Sequence, residues 1–194
     1  METKSSIRKD KLALRSGMAR SEQEMKSRII TKKVLELSCI CQARSVLCYA
    51  GYQSEVLTVE LIENLLSLGK NVFLPRVQGE EMDFYKINSS EDLTEGFRGI
   101  PEPAAFCKEP YIFAEDTKDV MIMPGCAFSY DGSRIGYGKG YYDRYLEKHD
   151  MVERVALCFA LQIAEDIPTN KHDKRASIIV TEENVINCSL HFND

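Results

Sequence analysis

Short apolar runs alternate with segments of helical periodicity along the chain, and this alternation restricts the fold more than any other feature. The leucines at 57, 61, 65 and 68 recur at helical spacing, and Gly69 follows them as a stop signal. Residues 141–148 have a helix-compatible composition. The predicted strands are the apolar runs 45–50, 71–74, 82–87, 119–123, 155–160 and 177–180. Strands that alternate with helices predict an α/β fold with a mainly parallel sheet.

The remaining segments complete a three-layer α/β/α prediction. Residues 4–41 carry apolar side chains at helical spacing, and Gly17 and Ser21 indicate a break between two helices. Residues 88–116 are rich in proline and polar clusters, so we interpret them as a long surface connection. A chain of 194 residues has room for one core, and we expect a single domain over 1–194 with helices on both sheet faces.

Composition excludes several classes of partner. The formal net charge of -5 gives no general support for binding nucleic acid. No apolar run approaches the roughly 20 residues that span a bilayer, and the first 20 residues lack a secretory signal. The 7 cysteines form no C-x-x-C pair, which favours buried, reduced thiols. We therefore expect a cytoplasmic monomer that binds small molecules and neither nucleic acid nor membrane.

The segment 124–146, PGCAFSYDGSRIGYGKGYYDRYL, is the most unusual part of the sequence. Gly136, Gly138 and Gly140 alternate with Tyr137 and Lys139, a pattern that lets the backbone bend and turn successive N–H groups toward one point. Such a loop between a strand and a helix suits an anion. The alternative is a flexible turn with no ligand.

Phosphate is the anion that this segment fits best, because Arg134 and Lys139 add positive charge. The spacing is nevertheless neither the dinucleotide-binding G-x-G-x-x-G fingerprint nor the G-x-x-x-x-G-K-[ST] loop. A Rossmann-like fold without a dinucleotide cofactor is therefore expected.

Two aspartates are candidates for a magnesium site. Asp143 follows the last glycine by three residues, where a carboxylate either caps the helix or holds Mg²⁺ beside a phosphate chain. Asp173, in the polar segment IPTNKHDKR, could converge on the same edge of the sheet. The sequence alone leaves both interpretations of Asp143 open.

The segment 124–146 closely resembles the signature of the 5-formyltetrahydrofolate cyclo-ligase family. Further motifs agree in order along the chain: YAGYQSE at 49–55, LPRV at 74–77, GIPEP at 99–103, and then IPTNKHD and IVTE. The resemblance implies a three-layer α/β/α fold and an ATP- and Mg²⁺-dependent cyclisation of 5-formyltetrahydrofolate. The implied products are 5,10-methenyltetrahydrofolate, ADP and phosphate, formed by phosphorylation of the formyl oxygen and attack by N10.

The resemblance also implies roles for individual residues. The implied ATP-binding residues are Lys4, Arg8, Arg134, Ile135, Gly136, Tyr137, Gly138, Lys139, Gly140, Tyr141 and Tyr142. The implied folate-binding residues are Ala50, Tyr52, Glu55, Tyr137, Gly138, Lys139, Gly140 and Tyr141. The implied catalytic residues are Arg134, Lys139 and Tyr141, and the implied magnesium ligands are Asp143 and Asp173.

Other interpretations of the same residues stay open at the level of sequence. Lys4 and Arg8, one helical turn apart, are equally typical of a solvated basic helix face. Glu55 could cap the helix that begins near Leu57. The whole chain could be an ATP-dependent ligase or kinase for another small molecule, or a non-catalytic nucleotide-binding module.

Overall fold

The computed structural model describes residues 3–96, 99–113, 118–149 and 153–188. Its helices are α1 (Lys4–Ser16), α2 (Arg20–Leu35), α3 (Ser38–Gln42), α4 (Val59–Ser67) and α5 (Tyr141–Lys148). Its strands are β1 (Ser45–Leu47), β2 (Asn71–Gln78), β3 (Glu81–Ile87), β4 (Leu93–Glu95), β5 (Pro101–Pro103), β6 (Val120–Met123), β7 (Ala127–Ser129), β8 (Arg134–Ile135), β9 (Glu153–Leu157), β10 (Ile163–Ala164), β11 (Ile178–Val180) and β12 (Val185–Asn187).

The main sheet has the strand order β12-β11-β9-β6-β1-β2-β3. The central strands β11, β9, β6, β1 and β2 run parallel, whereas the edge strands β12 and β3 pair antiparallel with their neighbours. The prediction of an α/β fold with a mainly parallel sheet is confirmed. Strand order reverses between β1 and β6, which is where doubly wound sheets bind their ligands.

Each central strand sends alternate side chains to opposite faces of the sheet. On β6, Val120 and Ile122 pack into the core beneath α2, α3 and α4, whereas Met121 and Met123 pack toward α5. Both faces of these strands are fully buried, which explains why their sequences are continuous apolar runs rather than alternating ones. The second face is covered by α5 together with a small sheet, so the two outer layers are unequal.

Strand β2 is longer than its sequence predicts. The apolar run predicts a strand over 71–74 that ends before Pro75. In the structure β2 continues to Gln78, and Pro75 pairs with Phe84 of β3. Pairing with β1 stops at Phe73, so beyond that point β2 has a partner on one side only. A proline, which lacks an N–H donor, is tolerated at such an edge-like position.

The glycine-rich segment contains structure that its composition does not reveal. Strands β7 and β8 form a hairpin within it, and β10 joins β7 to complete a three-stranded sheet. Helix α1 packs on this sheet through Ile7, which shares a small apolar cluster with Ala127, Ile135 and Ile167. The amino-terminal helix is thereby placed beside the glycine loop.

The segment predicted as a plain surface connection also has a regular part. Strands β4 and β5 form a two-stranded antiparallel ribbon, and Leu93 lies opposite Pro103. The guanidinium of Arg76 fixes this ribbon to β2 by donating to the carbonyl oxygens of Pro103, Ala104 and Cys107. Within the described parts of the chain, no helix is long and apolar enough to cross a membrane.

Candidate active site

Two of the predicted site segments follow β1 and β6, where the strand order reverses. The segment after β1 carries Glu55, and the segment after β6 leads through the β7–β8 hairpin to the glycine loop, residues 136–140. Parallel strands end at one edge of a sheet, so these two segments meet there.

The glycine loop has the backbone geometry of an anion-binding turn. Gly138 has a φ of 90° and Gly140 a φ of 68°, both in the left-handed region that side chains disfavour. Gly140 is the residue that precedes the first turn of α5, so the positive end of this helix adjoins the loop. Tyr137, Gly138 and Lys139 are exposed, which leaves the loop open to a ligand.

Arg134, at the start of the glycine loop, is held in the wall of the site. Its side chain is 5% exposed, and its guanidinium forms a 3.0 Å ion pair with Asp143. It also lies over the ring of Tyr142, 5.5 Å from the ring centroid. The Nε atom has no hydrogen-bond partner among the described residues, so a buried donor is available to a ligand.

Helix α1 brings two further cations to the loop. Arg8 donates from Nε to the carbonyl oxygen of Gly136 at 2.7 Å. Lys4 forms an ion pair with Asp173, whose carboxylate also accepts a 2.7 Å hydrogen bond from the backbone N–H of Asn170. Arg8 therefore contacts the glycine loop, and Lys4 contacts the polar segment IPTNKHDKR.

Asp143 and Asp173 line one cavity of about 300 Å³. The other lining residues are Gly140, Arg144, Glu147, Asn170 and His172. Each aspartate is paired with a cation, Asp143 with Arg134 and Asp173 with Lys4. Two carboxylates are the protein ligands that Mg²⁺ takes beside phosphate oxygens and water, so these residues fit the ion.

Glu55 is a buried carboxylate in the loop after β1. It is 6% exposed, and its oxygens accept hydrogen bonds from the backbone N–H of Tyr52 at 3.0 Å and from the Tyr137 hydroxyl at 2.8 Å. Burial raises the pKa of Glu55, while these two hydrogen bonds and the positive charge of Arg15 oppose that rise. The bond to Tyr137 joins the loop after β1 to the glycine loop.

The sharp turn that presents Glu55 depends on the sequence YAGYQSE. At Gly51 an added Cβ would lie 2.3 Å from the carbonyl oxygen of Val56, so no side chain fits there. Gln53 adopts a φ of 51°, and the side chain of Gln23 on α2 donates to the carbonyl oxygens of Gln53 and Glu55. These contacts hold the carboxylate of Glu55 toward the glycine loop.

Other predicted residues occupy different positions around the site. Ala50 is buried beside the turn, and Tyr52 is partly exposed. The side chain of Ile135 packs into the cluster under α1, so only its main chain is left to contact a ligand. The Tyr141 hydroxyl donates to the carbonyl oxygen of Gly79 between β2 and β3, so the structure does not bring it to Glu55.

The sequence prediction assigned no role to three residues near the site: Arg15, Gln162 and Tyr49. Arg15 is buried between the two loops, and Gln162 donates to the carbonyl oxygens of Gly125 and Cys126 after β6. Tyr49 and Tyr142 have buried hydroxyls with no partner among the described residues, and Tyr49 had been given no role. A signal for Arg15 was present, because the basic residues of α1 share one face at helical spacing: Lys4, Arg8, Lys11 and Arg15.

Comparison with known proteins decides the family. The model of the 5-formyltetrahydrofolate cyclo-ligase family matches residues 1–182. The chain belongs to this family. A mouse 5-formyltetrahydrofolate cyclo-ligase is 29% identical over 177 residues, covering 86% of this chain and 87% of the relative. The Saccharomyces cerevisiae enzyme of that name is 32% identical over 180 residues, covering 79% and 83%.

A solved structure agrees with this assignment. The NMR structure of Aquifex aeolicus 5,10-methenyltetrahydrofolate synthetase superimposes with a TM-score of 0.82 and 31% sequence identity, covering 95% of this chain and 92% of that one. The sequence-based predictions of the family, of its fold and of an enzyme of the cyclo-ligase type are confirmed. The roles of individual residues stay predictions.

Proposed function

We propose that the protein catalyses the ATP- and Mg²⁺-dependent cyclisation of 5-formyltetrahydrofolate to 5,10-methenyltetrahydrofolate, with release of ADP and phosphate. The observation that carries the proposal is the hydrogen bond between Tyr137 and Glu55, at 2.8 Å. It joins a loop suited to phosphate with a buried acid suited to a pterin, at one edge of the sheet of a member of this family.

The nucleotide is assigned to the glycine loop. Its open backbone, the cations Arg8 and Lys4 from α1, and the adjoining end of α5 all favour the negative charge of a triphosphate. Lys139 is exposed on the loop and supplies an ammonium group to the phosphates. Arg134 places its guanidinium between this loop and Asp143.

Mg²⁺ is assigned to Asp143 and Asp173. When bound with the nucleotide, the ion neutralises charge on the phosphate oxygens. Lys4 and Arg134 hold the two carboxylates in the wall of one cavity without it. Each cation offsets the negative charge of the carboxylate with which it pairs.

The folate is assigned to the loop after β1, which carries Glu55. A carboxylate accepts paired hydrogen bonds from the amino and ring N–H groups of a pterin. Tyr52 and Ala50 precede this acid in the same loop, and the hydroxyls of Tyr49 and Tyr142, which have no partner among the described residues, are further donors. The reacting formyl group then lies between Glu55 and the glycine loop.

The reaction asks the protein mainly for alignment. A formyl oxygen is a poor leaving group, and transfer of the γ-phosphoryl group of ATP to it gives a phosphorylated iminium and ADP. N10 of the folate attacks the iminium carbon, loses its proton as the new C–N bond forms, and phosphate then departs to leave the methenyl bridge. Cations on the glycine loop stabilise the charge that develops during phosphoryl transfer.

The proposal is tested by mixing the protein with 5-formyltetrahydrofolate, ATP and Mg²⁺ and following the absorbance of the methenyl product. We expect product only when all three are present. An ATP-dependent enzyme for another small molecule would bind ATP and give no methenyl product. A non-catalytic nucleotide-binding module would consume no ATP with any folate.

A further inference from the structure

Arg15 contacts three separate segments of the site. It lies near the end of α1, is 3% exposed, and donates from Nε to the Ser54 hydroxyl at 3.0 Å. From Nη1 it donates to the carbonyl oxygen of Gly125 at 3.1 Å, and from Nη2 to the Tyr137 hydroxyl. One guanidinium therefore touches the loop of Glu55, the segment after β6 and the glycine loop.

The charge of Arg15 is compensated through a hydroxyl rather than by a direct ion pair. Taking a guanidinium out of water is costly unless its charge is balanced. The ion pairs found among the described residues do not include Arg15. Its bond to Tyr137 continues in the bond from Tyr137 to Glu55, so the cation, the hydroxyl and the carboxylate form one chain.

Two members of this hydrogen-bonded series, Glu55 and Tyr137, are assigned to different substrates of the proposed reaction. Glu55 is assigned to the folate, whereas Tyr137 stands between Gly136 and Gly138 in the nucleotide loop. The hydroxyl of Tyr137 accepts from Arg15 and donates to Glu55, so its position is set from both sides. A phenol held in this way fixes the backbone of the glycine loop relative to the folate pocket.

We propose that Arg15 is a positioning residue that couples the folate loop to the nucleotide loop through the Tyr137 hydroxyl. This inference rests on the proposed function and adds to it a group that touches neither reacting atom. Lysine cannot replace arginine here, because a single ammonium lacks the planar fork that reaches Ser54, Gly125 and Tyr137 together.

The inference predicts a distinctive kinetic pattern. Arg15→Lys raises the KM for both 5-formyltetrahydrofolate and ATP, each about ten-fold, the effect of losing one hydrogen bond to a charged group. Arg8→Gln raises the KM for ATP alone, and Glu55→Gln that for the folate alone. Arg28→Lys, a change at an exposed arginine on α2 that pairs with Glu60, is the control and leaves both values unchanged.

A double-mutant cycle tests the route through Tyr137. Because groups in one hydrogen-bonded chain act together, Tyr137→Phe alone should reproduce the Arg15→Lys effect. The double variant should then be no worse than the poorer single variant. Effects that simply multiply, or a rise in the KM of one substrate only, would overturn the coupling.

Hydrogen exchange measured by mass spectrometry separates this inference from the proposed function. In ligand-free protein, Arg15→Lys should speed amide exchange in peptides that cover residues 51–56 and 136–140, while Arg28→Lys should not. Unchanged exchange in both peptides would refute the inference even if the wild-type protein makes the methenyl product. Faster exchange together with no product from the wild type would refute the function and keep the coupling.

Discussion

Replacing Glu55 by glutamine separates a binding role from a structural one. Glutamine keeps the shape of the side chain and one oxygen acceptor, and it removes the charge. The carboxylate is 6% exposed and accepts hydrogen bonds from the Tyr52 N–H and the Tyr137 hydroxyl. Burial raises the pKa of Glu55, although both hydrogen bonds and the nearby charge of Arg15 oppose the rise.

The direction of that pKa shift fixes the expected effect on stability. Between the ordinary pKa of a carboxyl group and the raised one, the folded protein binds more protons than the unfolded chain. The free energy of unfolding of the wild type therefore falls as pH rises through this interval. Glu55→Gln lacks this dependence, so its free energy of unfolding should not fall with pH through this interval as that of the wild type does.

Glu55→Gln should weaken the binding of 5-formyltetrahydrofolate. An amide presents an N–H donor where the pterin also presents donors, and a hydrogen bond to a charged group is worth about 1.5–3 kcal/mol. The KM for 5-formyltetrahydrofolate should therefore rise about 10- to 100-fold. The assays are initial rates of methenyl formation and thermal unfolding followed by circular dichroism across pH.

Asp119 provides a matched control for Glu55. It is 5% exposed and also accepts one backbone N–H, from Ser45 at 3.0 Å, and one phenol, from Tyr111 at 2.9 Å. It precedes β6, at the sheet edge away from the site. Asp119→Asn should leave the KM for 5-formyltetrahydrofolate unchanged. A Glu55→Gln variant that loses stability and binds folate normally would refute the reasoning.

Asp143→Asn should abolish turnover while circular dichroism shows an intact fold, because an amide is a poor magnesium ligand; full activity would remove Asp143 from the mechanism. Gly140→Ala should lower the free energy of unfolding by about 1–2 kcal/mol, because the φ of 68° at this position is strained for any residue with a side chain. An unchanged midpoint of denaturant unfolding would contradict this geometry. Arg8→Gln should raise the KM for ATP about ten-fold, because a charged hydrogen bond is lost. Lys9→Gln, a change at an exposed residue of the same helix, should leave this KM unchanged. Equal effects of the two variants would indicate only a general basic face.

Local sequence patterns predicted the parts of the fold that depend on local chemistry. The apolar runs gave the central strands because both sheet faces are buried, and Gly17 ended α1 because it is a helix stop. Strand β2 was predicted too short because the tolerance of Pro75 depends on where β1 stops pairing. The β7–β8 hairpin was missed since glycine and polar residues also indicate an open loop.

The candidate site shows the same division. Motif spacing identified the glycine loop, but pairing of Lys4 with Asp173 joins residues near the two ends of the chain. Arg15 was missed because its partners, Ser54, Gly125 and Tyr137, come from three distant segments. No local pattern carries such a contact, although its spacing from Arg8 on α1 placed it on the face that meets the site.

The most direct test measures ADP and the methenyl product in the same reaction mixture. The account predicts equal rates of formation of the two products, in the presence of 5-formyltetrahydrofolate, ATP and Mg²⁺, and neither product when the folate is omitted. ADP formed at the same rate without folate, or ADP formed with folate but without the methenyl product, would contradict the proposal that one site phosphorylates and cyclises this substrate.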